Sequence, residues 1–320
     1  MKLKIFVTRL LPKPAMDKLE ENFKVRVNPH DRLLTKQEII AGTRWCDILL
    51  CLLTDTIDAD IIKSNPNLKG IVNYAVGFNN IDVDVASSLK IPVTNTPGVL
   101  TETTADLAWS LIMAVSRRLY PAERFLREGK FRGWGPMLLL GSDIHGKTLG
   151  IVGAGRIGTA VARRASGFNM KIIYSDLSEM SPAIPAEKVE FDELLQTADY
   201  VTIHVPLLPE TRHLIGEREL KLMKKTAYLI NTARGPIVDE KALAKALKNG
   251  WIAGAGLDVY ENEPLVEAEL LACDNAVLLP HIGSATVETR TNMGLIAARN
   301  AIAVSKCEIP PQIVNPEIYE

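Results

Sequence analysis

At 320 residues the chain is longer than one hydrophobic core usually serves, so two domains are expected. Hydrophobic residues make up 47%, which excludes a disordered chain. With 37 basic against 38 acidic residues the formal net charge is -1. There is no basic excess to hold a nucleic-acid backbone, and no polybasic run to meet an anionic membrane.

The opening residues MKLKIFVTRLLPKP carry a brief apolar run broken by Arg9 and Pro12, which reads as a first β-strand and not as a signal peptide. No uninterrupted apolar stretch is long enough to span a bilayer. Cys46, Cys51, Cys273 and Cys307 form no CxxC pair, so reduced, mostly buried thiols in a cytoplasmic protein are expected, with no metal site.

Strand-like and helix-like segments alternate along the chain. Residues 4–7, 47–52, 70–73 and 92–95 read as short apolar strands, with helices predicted over 35–41 and 58–64. This alternation predicts parallel sheets covered by helices on both faces. A turn sequence, Thr96-Pro97-Gly98, precedes a long helix predicted over 101–118 with Thr101 as its N-cap. Irregular chain follows over 129–141. A second series begins at Thr148, with strands predicted over 148–152, 171–175, 200–205, 227–231, 255–259 and 276–279. Six strands fit a full dinucleotide-binding sheet. A last helix is predicted over 287–304.

The segment Thr148-Leu-Gly-Ile-Val-Gly153-Ala-Gly155-Arg-Ile-Gly158 is a strand, then GxGxxG, then a helix. Gly153 serves the tight turn, Gly155 the approach of a pyrophosphate, and Gly158 close packing of the helix on the strand. The helix N-terminus offers N–H groups and partial positive charge to phosphates. Asp176 ends the next strand, close to the spacing of about 20 residues expected of a ribose-binding acid. A carboxylate there accepts from both ribose hydroxyls of NAD and repels the 2′-phosphate of NADP. The segment 174–180 holds no Arg or Lys, so NAD is the expected cofactor. The fingerprint lies mid-chain, which places a substrate domain first and returns the last helix to it.

Reduction of a ketone needs a proton donor for the developing alkoxide, and a 2-oxo acid also needs a cation for its carboxylate. Arg234 follows a strand in Ile230-Asn-Thr-Ala-Arg-Gly-Pro236 and can bind a carboxylate through two hydrogen bonds. His281 follows another in Val277-Leu-Leu-Pro-His-Ile-Gly-Ser284 and is a candidate acid–base. His204 lies in an apolar strand and reads as a hydrogen-bonded core histidine. His30, His145 and His213 read as loop residues. Glu263 can orient His281 and favour its charged form, with Glu261 a rival two residues away.

Together these segments resemble the D-2-hydroxyacid dehydrogenase family over almost the whole chain. The likeness runs through Asn73-Tyr-Ala-Val-Gly-Phe-Asn-Asn-Ile-Asp82, Asn95-Thr-Pro-Gly98, Thr103-Thr-Ala-Asp106, the glycine turn and His204-Val-Pro-Leu207. It continues through Asn231-Thr-Ala-Arg-Gly235, Gly256-Leu-Asp-Val-Tyr260, Glu263-Pro264 and Pro280-His-Ile-Gly283. Within the family the chain is most similar to glyoxylate/hydroxypyruvate reductases.

The resemblance implies two doubly wound parallel-sheet α/β domains, a Rossmann dinucleotide-binding domain inserted in a flavodoxin-like substrate domain. The implied boundaries are 1–98 for the substrate domain, 99–285 for the NAD domain, and 286–320 for the helix that returns. It implies Arg234 as substrate-binding arginine, Glu263 as partner acid, and His281 as acid–base that also contacts substrate. Val76 and Gly77 would offer backbone N–H groups to the carboxylate. Thr104, Arg156, Ile157, Asp176, Pro206, Thr232 and Asp258 would line the dinucleotide site with the three glycines. Closure about 97–98 and 283–284 would exclude water.

A homodimer through residues 101–141 is also implied, with the apolar run Met137-Leu-Leu-Leu140 in its arm. NADP-preferring reductases of this group carry basic residues where this chain has Asp176, so cofactor preference follows the residue. Other small 2-oxo acids, as in D-lactate-type or 2-ketogluconate-type dehydrogenases, remain alternatives. So does a dinucleotide-sensing role like that of related corepressors.

Overall fold

The structure, a computed structural model, describes residues 2–320. The chain divides into two compact units, residues 1–100 with 285–320, and residues 101–284. Each is built on its own all-parallel sheet.

In the first unit the strands are β1 Lys4–Val7, β2 Lys24–Val27, β3 Ile48–Leu52, β4 Gly70–Tyr74 and β5 Val93–Thr94. Their order is β2-β1-β3-β4-β5, the flavodoxin-like order. Successive residues of a strand face opposite sides of the sheet. Ile5, Val7, Ile48, Leu50 and Val72 enter one apolar cluster, while Phe6, Leu49, Cys51 and Ile71 enter the other. The helix Val287–Ser305 completes the first of these, contributing Met293, Ala297 and Ala301. The Tyr74 hydroxyl donates to the carbonyl of Arg290 on that helix at 2.6 Å.

The second unit holds β6 Thr148–Val152, β7 Lys171–Ser175, β8 Ala186–Lys188, β9 Tyr200–Ile203, β10 Tyr228–Asn231, β11 Gly254–Leu257 and β12 Ala276–Leu278. Their order is β12-β11-β10-β9-β6-β7-β8, the dinucleotide-binding order with one strand added beyond β11. Leu229 faces a cluster with Leu194, Leu220 and Leu243, while Tyr228 and Ile230 face Trp109, Leu111 and Val161. Helices therefore cover both faces.

The sheet has seven strands rather than the six read from the sequence. The extra one, β8 (Ala186-Glu-Lys188), is a three-residue edge strand with no buried residue, so no apolar run announces it. β2 was hidden for the same reason, its residues alternating exposed and half-buried. The helix expected to start beyond an N-cap at Thr101 includes that residue, running Thr101–Ser116. Arg118, at φ 53°, turns the chain into a further helix, Leu119–Arg127, which has no buried residue. Cys46 and Cys51 are buried as expected, but Cys273 is half-buried and Cys307 exposed, which corrects the expectation of mostly buried thiols. No helix among the described residues is long and apolar enough to cross a membrane.

Candidate active site

The C-terminal ends of β6, β7, β9, β10, β11 and β12 bring the second unit's candidate residues to one edge of its sheet, where open α/β sheets bind ligands. The glycine turn leaves β6. Gly153 has φ 99°, and a Cβ there would lie 2.7 Å from the His204 carbonyl carbon and 2.8 Å from the Val205 nitrogen. A Cβ on Gly158 would strike the Gly153 carbonyl. At Gly155, the N-cap of the helix Arg156–Ala165, the space a Cβ would take is open within 4 Å, and no side chain caps the helix. These environments fit the three roles of a pyrophosphate-binding turn.

Asp176 follows β7 and is doubly engaged. Its Oδ2 accepts the Ala154 N–H and its Oδ1 the Ser178 N–H, both at 2.7 Å. The acid thus braces the glycine turn. After it, Glu179 accepts from the Tyr174 hydroxyl at 2.7 Å and pairs with Lys188 at 2.9 Å. Thr232, just past β10, is buried and its Oγ1 lacks a hydrogen-bond partner among the described residues. An orphaned hydroxyl at this edge fits a polar ligand group. Thr104 is buried and donates to the Gly283 carbonyl at 3.1 Å. Arg156 and Ile157 lie within the turn itself and Pro206 just past β9, with Pro206 and Arg156 exposed and Ile157 half-buried.

Arg234 sits in a loop shaped by Asn231, whose side chain accepts the Ala233 N–H at 3.0 Å and donates to the Arg234 carbonyl at 2.9 Å. Burial pushes the Arg234 guanidinium below its usual value, and the negative charge of Glu263 counters this.

His281 has φ 55°, and its Nδ1 donates to Glu263 Oε2 at 2.8 Å. The other Glu263 oxygen accepts the Tyr260 N–H at 3.0 Å. Partial burial opposes ionisation of Glu263. The hydrogen bond and charge of His281, the Tyr260 N–H and the charge of Arg234 outweigh it, and the carboxyl lies below its usual range. With Nδ1 committed, Nε2 is the nitrogen His281 can offer to a reacting oxygen. Glu261, the rival, is turned elsewhere: its Oε1 lies 2.7 Å from His213 Nε2 and 3.3 Å from Arg212.

His204, expected in a core strand, lies instead one residue past β9 and is half-buried, with Nε2 2.9 Å from Thr202 Oγ1; desolvation pushes its imidazole down to about 3. Asp258 is fully buried, and its two oxygens accept the Ile282 and Gly283 N–H groups, both at 2.7 Å. Burial raises its carboxyl above the usual value against these bonds and the charge of His281.

In the first unit, Val76 and Gly77 follow β4. The side chains of Asn95 and Asn73 donate to their carbonyls at 2.7 and 2.8 Å, which fixes the two peptides.

Sequence reasoning missed Tyr260 and Glu240 as members of this neighbourhood. Tyr260 lies inside a quoted motif but carries no chemical signal of its own. Glu240 looks like any acid in the first turn of a helix, yet it is buried and accepts the N–H groups of Glu261 and Glu267.

Comparison with known proteins follows the same lines. Residues 109–283 match the family model for the D-isomer specific 2-hydroxyacid dehydrogenase, NAD binding domain. A glyoxylate reductase of Korarchaeum cryptofilum is 50% identical over 325 residues, covering 100% of this chain and 98% of that protein. A crystal structure of a protein from Thermus thermophilus is 43% identical with a TM-score of 0.92, covering 98% of this chain and 100% of that one. An NADPH-dependent glyoxylate/hydroxypyruvate reductase from Sinorhizobium meliloti, solved with NADP and malonate, is 32% identical with a TM-score of 0.87 and covers 98% and 97%. The chain belongs to the D-isomer specific 2-hydroxyacid dehydrogenase family.

Proposed function

We propose that the chain reduces a small 2-oxo acid, glyoxylate or hydroxypyruvate foremost, to the 2-hydroxy acid with a reduced nicotinamide dinucleotide. The observation that carries the reading is the His281–Glu263 hydrogen bond on the sheet edge that also bears the glycine turn and Arg234. The relatives named for reduction of these acids support the choice of substrate.

A nicotinamide bound here supplies the hydride. Arg234 holds the substrate carboxylate with its planar fork. Protonated His281 gives the Nε2 proton to the carbonyl oxygen as the carbonyl carbon is reduced. Glu263 orients the ring and favours the imidazolium that the reductive direction needs. Val76 and Gly77 are assigned to the carboxylate through their N–H groups.

Gly153, Gly155, Arg156, Ile157 and Gly158 are assigned to the pyrophosphate side, and Asp176 to the ribose. Thr104, Pro206, Thr232 and Asp258 complete the proposed dinucleotide contacts. NAD is the proposed partner because Asp176 sets a carboxylate where a 2′-phosphate would lie and 174–180 has no basic residue.

A homodimer is proposed through residues 101–141. The support is an apolar surface in which Leu126, Trp134 and Met137 are 63%, 85% and 78% exposed. Four free cysteines fit a reducing, cytoplasmic setting.

The test is a panel of 2-oxo acids with NADH and NADPH, run on the wild type and on His281→Gln. Glyoxylate or hydroxypyruvate should lead the panel, and the variant should lose roughly two to four powers of ten in kcat while still binding NADH. A loss of less than about tenfold would assign the proton to another group. A better rate with pyruvate or a sugar-derived oxo acid would move the substrate within the family.

A further inference from the structure

Residues just after β11 grip residues just after β12 at four points. Asp258 takes the Ile282 and Gly283 N–H groups, each at 2.7 Å. Glu263 takes the His281 ring at 2.8 Å. The fourth point is the Tyr260 hydroxyl, which donates to the Leu279 carbonyl at 2.8 Å. Leu279 is already held through its own N–H by the Leu257 carbonyl at 2.8 Å, so the phenol completes the anchoring of the residue two before His281.

Tyr260 has two further ties. Its N–H fixes Glu263 Oε1 at 3.0 Å. Its peptide lies so close to Gly235, the neighbour of Arg234, that a Cβ at Gly235 would overlap the Tyr260 carbonyl. One residue therefore touches the loop of the arginine, the carboxylate of the acid and the strand end of the histidine.

We propose that Tyr260 is the positioning residue of this site, its hydroxyl setting the His281 ring against Glu263 by fixing Leu279. This rests on the acid–base role proposed above for His281. A left-handed residue such as His281 cannot relax into a broad extended basin, so its ring direction follows where its flanking peptides are pinned. Asp258 pins the peptides after it and Tyr260 the strand end before it. Burial keeps the phenol protonated well above its ordinary range, so it remains a donor throughout neutral pH. The charged neighbours of Tyr260 are Asp258, Glu240 and Glu263. Those of His281 are Glu263 and Asp258, with Arg234 acting on Glu263.

The test is Tyr260→Phe, which removes one oxygen and leaves the ring and the backbone N–H. The reductive kcat/KM should fall about threefold to tenfold, the effect of one net hydrogen bond. Its alkaline limb should move to lower pH, because a loosened carboxylate stabilises the imidazolium less. NADH affinity should stay within about twofold, a change too small to signal a lost contact.

A readout that needs no turnover is the downfield proton resonance of His281 Nδ1, identified by its absence in His281→Gln. It should shift upfield or broaden in Tyr260→Phe. A variant that only melts earlier, with limb and resonance in place, would overturn the proposal. Should Tyr260→Phe not fold, 3-fluorotyrosine at position 260 keeps the hydroxyl and changes its donor strength. An unmoved Nδ1 resonance there would overturn the proposal equally. If the wild type reduces no 2-oxo acid, the functional reading fails, and the resonance still decides the role of Tyr260.

Discussion

Glu263 holds His281 through a 2.8 Å hydrogen bond from Nδ1 to Oε2, while Glu261, two residues earlier, faces His213. The hydrogen bond and charge of His281 help to hold the Glu263 carboxyl below its usual range despite partial burial. The proposed reduction uses the charged imidazole. Glu263→Gln keeps size and removes the charge that faces the ring, so the alkaline limb of reductive kcat/KM should move to lower pH. The rising limb for oxidation should move the same way. Profiles in both directions for the two proteins check this, and limbs that move to higher pH would reverse the assigned role.

Arg234 is desolvated beside Glu263, and its position is set by the Asn231 side chain. Lysine preserves charge there but not the fork. Arg234→Lys should raise KM for the oxo acid about tenfold or more, since one bidentate charge-assisted contact contributes over about 1.4 kcal/mol. NADH affinity, measured by fluorescence titration, should change little. Equal KM values would remove Arg234 from the substrate.

Asp176 has a structural role and a proposed ribose-binding role to lose. It accepts the Ala154 N–H, so Asp176→Ala frees the glycine turn as well as removing the carboxylate proposed to meet the ribose. Affinity for NADH should fall by about tenfold or more. NADPH should lose from the turn but gain from removal of the negative charge, so the ratio of the two kcat/KM values should narrow. A wild type that uses NADPH better, or an unchanged ratio, would refute the assignment.

The reading of the sequence succeeded where a residue's role follows from local chemistry. Gly153 and Gly158 are legible because a tight turn and a close helix leave no room for a Cβ. Strands buried on both faces, such as Ile48–Leu52, are legible as apolar runs. The edge strands β2 and β8 were not, because neither has a buried residue to make an apolar run, whereas the edge strands β5 and β12 do. The choice between Glu263 and Glu261 could not be made from spacing. It depends on Tyr260 N–H and on His213 reaching from another loop, both of which exist only in the folded chain. Glu240 was invisible for the same reason, since its partners lie more than twenty residues away.

The helix Leu119–Arg127 has no buried residue, with Leu119, Tyr120 and Leu126 each more than half exposed, and further along the chain Phe131, Trp134, Met137 and Leu140 are exposed too. Water contact over such a surface is unfavourable by about 25 cal/mol per Å². A second copy covering it would recover that. Light scattering after size exclusion should give a dimer for the wild type and a monomer for Leu126→Glu combined with Met137→Glu. A wild type that stays monomeric at tens of micromolar, a range that populates specific dimers of ordinary affinity, would remove the proposal.

His204 supplies a test of the fold under acid. Burial holds its imidazole neutral down to about pH 3 in the folded chain. In the unfolded chain the ring takes its proton near the ordinary value of about 6.5. Between these limits the unfolded state binds one proton more, and stability falls as pH falls. Above about pH 7 neither state binds the proton, and the contribution is flat. His204→Gln keeps a hydrogen-bonding group near Thr202 and has no proton to gain. The urea midpoint of the wild type should therefore drop more steeply than that of the variant from about pH 6.5 to about 4.5, before most carboxylates titrate. The two slopes should agree above about pH 7. Parallel curves over the whole range would mean that the folded chain accepts the proton on His204 as readily as water does.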